Sequence, residues 1–246
     1  MFSYPWRPEM KKILLAGLFS ALIATESNAA VVYDPGTTYE TTALTGFLTT
    51  GDMMDGMTIT AFLSSGAAES FVWYDIGNLM GGIYGTGWYL RVYGDSYLYD
   101  WILLADVFID RIIIDAGPGN SVFDILWQNN LNGTAGSARG ITFSVVSGLS
   151  NANVTATYRD MVALTGSDPV GDLWKVLDIS FHAPYSGYLR FKADTDNIAI
   201  PGDLDALPDP DSAPVPEPST LILIGSGLGI IAISRGVKKS RICAAR

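Results

Sequence analysis

From residue 58 to residue 192 the chain is a succession of short runs rich in Val, Ile, Thr and aromatic residues, each stopped by glycine, asparagine or aspartate. Runs this short, so punctuated, leave no room for long helices and read as strands. Nine are predicted: 58–63, 70–76, 88–93, 107–114, 122–127, 141–146, 154–158, 174–181 and 188–192. Alternation is clearest from Val107 to Asp115 and from Gly140 to Val145, where apolar and polar residues fall on opposite faces. The expected fold class is therefore all-β, an antiparallel β-sandwich of two sheets packed face to face. The strand count and the lack of long helices fit a jelly roll, which is the expected arrangement.

The body predicted to form this sandwich runs from residue 30 to residue 205, enough chain for one sizeable core. Residues 30–218 hold 23 Asp and Glu against 7 Lys and Arg. That excess of negative charge argues against nucleic acid or an anionic membrane surface as a partner. The one cysteine, Cys243, lies outside the body, so no disulfide staples it. Burial and hydrogen bonding must hold it together.

Both ends carry membrane signals. Met10-Lys11-Lys12 precedes an apolar segment from Ile13 to Ala24, and Ser27-Asn28-Ala29 supplies the small residues that signal peptidase needs, so residues 1–29 read as a signal peptide cleaved after Ala29. Met1 to Glu9 fit no part of such a signal, and Met10 is an alternative start. At the other end, Pro214, Pro216 and Pro218 keep the 206–218 linker extended. Ser219 to Ser234 then carry no charge. As a helix of about 1.5 Å rise per residue this run spans roughly 24 Å, short of the approximately 30 Å hydrocarbon core. Arg235, Lys238, Lys239 and Arg241 follow as a membrane stop that holds the C-terminus in the cytoplasm, and Gly225, Gly227 and Gly229 leave one face small enough for another helix. A span this short is a poor permanent anchor.

The order Pro216-Glu217-Pro218-Ser219-Thr220, an apolar Leu/Ile/Gly helix and a basic cluster resembles the PEP-CTERM sorting domain of Gram-negative bacteria, over about residues 215–241. The resemblance implies that a membrane-embedded exosortase recognises Pro216, Glu217 and Pro218, cuts the tail and sends the body to the cell surface or beyond, in a setting of exported exopolysaccharide. The inner membrane is then only a transient location. One departure is that the basic cluster is interrupted by Gly236-Val237 and the chain runs on to Arg246.

Chemistry is sparse in the body, and no catalytic residue is assigned. His182 is the sole histidine, and without a second His or a Cys the usual zinc ligand sets are excluded. Gly-x-Ser-x-Gly does not occur, and no carboxylate pair stands out for a glycosidase. Gly81-Gly82-Ile83-Tyr84-Gly85-Thr86-Gly87 lacks a P-loop lysine and reads as a flexible β connection. No cofactor is required, but Asp194, Asp196 and Asn197 offer hard oxygen ligands that suit Ca2+, set against a plainer role in Asx turns. The aromatic density allows a sugar-stacking face: Trp88, Tyr97 and Tyr99 are the candidate contacts, with Tyr97 and Tyr99 on one face of a hairpin around Gly94-Asp95, against core packing as the alternative. The expected function is an exported, non-catalytic surface or matrix protein contacting exopolysaccharide. A secreted carbohydrate-active enzyme or a calcium-dependent carbohydrate-binding module is the other class.

Overall fold

The computed structural model describes residues 29–207, apart from residues 47, 126–132 and 138. The signal peptide (residues 1–28 of it), Trp127, the sorting motif and the basic stop lie outside the described residues. The chain divides into units Met1–Ala206 and Leu207–Arg246, and every strand belongs to the first. Among the described residues no helix is long and apolar enough to cross a membrane.

The strands are β1 (Ala30–Asp34), β2 (Tyr39–Thr41), β3 (Thr58–Leu63), β4 (Ala68–Val72), β5 (Tyr74–Gly77), β6 (Met80–Gly85), β7 (Trp88–Tyr93), β8 (Trp101–Asp115), β9 (Ser121–Asp124), β10 (Ser144–Ser147), β11 (Val154–Leu164), β12 (Leu173–Lys192), β13 (Asp194–Asn197) and β14 (Asp205–Ala206). All fourteen belong to one sheet, whose main path runs β14-β2-β11-β12-β8-β7-β6-β5. The all-β prediction therefore holds, and the sandwich takes the form of a single sheet turned over on itself.

Two long strands produce that turn. β8 pairs with β7 along Trp101–Ala105 and with β3 along Ile109–Asp115. β12 pairs with β11 through its first half and with β10 through its second, and with β8 along both. Between the halves the β12–β8 register shifts twice, from Ser180 to Tyr185 and from Tyr185 to Gly187, and the β3–β8 register shifts at Phe62/Leu63. Bulges add twist and bend, and strands that cross a bulge into a second layer are how one sheet makes both sides of a sandwich.

Aromatic rings fill the space enclosed. Trp73 packs on Trp101 at 5.2 Å between centroids, Trp101 on Phe123 at 6.4 Å, Phe123 on Tyr158 at 6.1 Å and Tyr158 on Trp174 at 6.4 Å. The series carries contact from Trp73, between β4 and β5, to Trp174 on β12. Each buried indole also finds an acceptor: Trp73 Nε1 donates to the Gly51 carbonyl at 2.8 Å, and Trp101 Nε1 to the Ala193 carbonyl at 2.7 Å. Large rings can be buried here because their polar atoms are satisfied.

The connectivity departs from a jelly roll. β5 to β8 follow one another as a meander, because Asn78-Leu79 and Thr86-Gly87 are two-residue turns that hold consecutive strands side by side. β11 accepts β1 and β2 as parallel neighbours. The glycine-rich segment is a second departure: it is strand β6, not a flexible connection. Gly81 is required there, since a Cβ would stand 1.9 Å from the Gly51 carbonyl oxygen and 2.2 Å from Trp73 Nε1. The 3-10 turn at Gly51–Met54 can thus lie directly on the strand.

Replacing Trp101 by Ala removes the ring that joins Trp73 to Phe123 and strands the Ala193 carbonyl, and should cost about 3–5 kcal/mol in urea unfolding. Val72→Ala, at a side chain 62% exposed, should stay within about 0.5 kcal/mol.

Candidate functional site

β9 and β13 pair antiparallel with Asp194 directly opposite Asp124, so both side chains leave the same face of the ribbon. Asp196, two residues along β13, shares it. The three carboxylates come within 4.8 Å of one another, and the residues are only 1–3% exposed. Among the described residues no salt bridge joins Asp124 or Asp194 to a Lys or Arg.

Hydroxyls and backbone amides hold the cluster instead. Ser137 donates its hydroxyl to Asp124 Oδ2. Ser96 Oγ donates to Asp194 Oδ1 at 3.0 Å, and the Thr195 amide donates to the same oxygen at 2.8 Å. Asp172 lies nearby and takes two bonds of 2.7 Å from Thr134. Gly140 closes over Asp124: a Cβ there would fall 2.4 Å from Asp124 Oδ1. The adjoining Ile141 bridges the ribbon, donating its amide to the Asp124 carbonyl and accepting from the Asp194 amide, each at 3.2 Å.

Burial is the dominant influence on charge here. It pushes the Asp124 and Asp194 carboxyls up to about 8, with the neighbouring carboxylates adding to the rise and the hydroxyl donors opposing it. Near neutral pH the cluster is thus disposed to hold protons. A hard divalent cation would do the same work, since three carboxylate oxygens this close form part of the oxygen cage that Ca2+ takes.

The structure separates the residues that the sequence groups together. Asp194 and Asp196 belong to the cluster as strand residues, not turn residues. Strand alternation sends Asn197 to the other side of β13, where its amide donates to the Met53 carbonyl at 3.1 Å and to Ser121 Oγ at 3.2 Å. Asp124 carries no signal of its own in the sequence; only the β9–β13 register brings it to the site.

The aromatic candidates also part company. Trp88 is 3% exposed, its indole donating to Glu69 Oε2 at 2.8 Å and its ring edge-on to Phe71, so it offers no open face to a sugar. Tyr97 and Tyr99 lie in a turn, not a hairpin strand, because the Leu98 and Tyr99 amides both bond back to the Asp95 carbonyl. Tyr97 is half-buried. Tyr99 is exposed and packs against Tyr93, with ring centroids 5.9 Å apart.

The cluster makes stability depend on pH and on cations. The Asp124 and Asp194 carboxyls sit higher in the folded chain than in the unfolded one, so the folded state holds more protons. Stability is therefore full below the unfolded carboxylate range and is lost as pH rises toward about 8. Melting with a chelator present should show Tm falling across this window. Asp124→Asn should flatten the fall, and millimolar Ca2+ should restore Tm at the alkaline end with little effect at the acid end.

Comparison with known families matches one segment, a PEP-CTERM protein-sorting motif over residues 214–236. No curated protein and no solved structure matches the chain. The matched segment contains Pro216, Glu217, Pro218 and Arg235, four of the residues singled out from the sequence. Such a motif implies an exported protein with exosortase as its processing partner and the cell surface as its destination. The chain carries a PEP-CTERM sorting domain at its C-terminus.

Proposed function

We propose that this is a non-catalytic protein of the cell surface or extracellular matrix, delivered by its tail and held among exported polysaccharide by its body. Exosortase recognises Pro216, Glu217 and Pro218. The uncharged 219–234 segment anchors the chain for a limited time, with Arg235, Lys238, Lys239 and Arg241 on the cytoplasmic side, and signal peptidase removes residues 1–29. The carrying observation is the sorting motif at residues 214–236. An acidic body with most of its basic residues committed to ion pairs supports a life outside the cell in which nucleic acid and anionic membrane are not partners.

The sealed aspartate cluster weighs against a secreted glycosidase. Asp124 and Asp194 are the carboxyls whose raised affinity for protons would suit a general acid, but they lie beneath Gly140 and Ser137. A substrate must reach its acid. A calcium-stabilised body is the second reading, favoured by three carboxylates within 4.8 Å of one another. There the ion would brace β9 against β13 and leave the surface free for ligand.

Changing Pro216, Glu217 and Pro218 together to alanine should leave export intact and block removal of the tail. Immunoblots of cell fractions should then show a larger, membrane-retained species in place of the released one. A triple variant processed to the wild-type size would contradict the sorting proposal.

A further inference from the structure

The outward face of the β5–β6–β7–β8 meander differs from the rest of the body's surface. On β7, Tyr89, Arg91 and Tyr93 are alternate residues, so all three leave the same side of the sheet, while Trp88, Leu90 and Val92 turn into the core. Register extends the face across the sheet. Tyr84 of β6 stands opposite Tyr89, and Gly82 lies between Tyr74 of β5 and Arg91. The rings touch in sequence: Tyr74 and Tyr84 at 6.4 Å, Tyr84 and Tyr89 at 5.7 Å, and Tyr93 and Tyr99 at 5.9 Å. Tyr74, Tyr84, Tyr93 and Tyr99 are all exposed. The result is two tyrosine platforms about 14 Å apart along β7, with Arg91 midway between them.

Charge singles out the same face. Arg91 lies over the Tyr89 ring at 5.0 Å and forms no salt bridge among the described residues. Elsewhere, Arg111 and Arg159 are turned onto Asp178, and Lys175 onto Asp115. Across the face from Arg91, Arg190 and Lys192 share one carboxylate, Asp100. Asp106 of β8 leaves the same side of the sheet. Arg91, Arg190 and Lys192, three of the body's seven basic residues, therefore gather on this face.

We infer that this face binds a linear anionic polysaccharide along β7, sugar rings stacking on the two tyrosine platforms and a uronate carboxylate taken by Arg91. The inference rests on the polysaccharide contact proposed above and names its site and the chemistry of its ligand. A polymer of repeating rings matches platforms repeated along one strand, and tyrosine offers both a flat apolar face and a hydroxyl to such rings. The guanidinium is a planar donor suited to a carboxylate. The remaining acidic surface repels the same polymer, so the face is selected by complementarity as well as by contact.

Electrophoresis of the full-length chain through gels containing polygalacturonate or dextran tests this, with Tm measured for every variant to establish folding. Polygalacturonate should retard the wild-type chain and neutral dextran should not, and added salt should weaken the effect. Arg91→Gln should weaken binding about tenfold and Tyr89→Ala roughly threefold, while Val72→Ala, outside the face, should bind as wild type. Equal retardation by dextran overturns the anionic ligand. Retardation by polygalacturonate that survives both Arg91→Gln and Tyr89→Ala overturns the site and leaves polysaccharide contact standing. Failure of polygalacturonate, dextran and the producing cells' own polymer to retard the wild type overturns both.

Discussion

The pairing of β8 with β12 is the constraint on which the rest of the body depends. The two strands stay in contact from Val176 opposite Asp115 to Phe191 opposite Trp101, across the register shifts that bend both. Each half recruits its own neighbours, β7 and β10 on one side of the bend and β3 and β11 on the other. Because the same two backbones run through both layers, the inward residues of each must face those of the other. Trp101, Phe123 and Tyr158 then meet without any disulfide to hold the layers. Outward residues inherit the same order, which is why alternate positions on β7 assemble a tyrosine face while their neighbours build the core.

Much of this is legible in the chain, and the reasons for what is not are physical. β3 and β7 have the limits expected of them, because each alternates and each is bounded by turn residues. β8 and β12 read as shorter pieces in the sequence, since bulges and the Ala183-Pro184 step break the local pattern while tertiary pairing continues through it. β6 is hidden by its glycines, of which Gly81 lets Gly51 and Trp73 approach and Gly85 admits the Trp88 indole. β13 is hidden by its composition. Asp-Thr-Asp-Asn has the chemistry of a turn, and only its partner β9 and the cover supplied by Ser137, Gly140 and Ile141 make it a buried strand.

The candidate sites follow the same division. Asp194 and Asp196 can be picked out as cation ligands from spacing, but Asp124, some seventy residues earlier, reaches them only through register. Among the aromatics, residue type alone favours Trp88, whereas the two-residue period of β7 assigns Trp88 inward and Tyr89, Arg91 and Tyr93 outward. The sorting motif stands apart. Its meaning lies in a linear order of residues that a membrane enzyme reads, so it needs no fold to be recognised.

Native-state hydrogen exchange resolved by residue tests the one-sheet account most directly. If β8 and β12 bind both layers into a single unit, the amides of Leu103 on the β7 side and Ile112 on the β3 side should exchange only through the same global opening, with equal free energies and equal sensitivity to denaturant. Two separate openings, one for the β5–β8 layer and another for the β3–β11 layer, would show that the bend divides the body into independent sheets and would contradict the account.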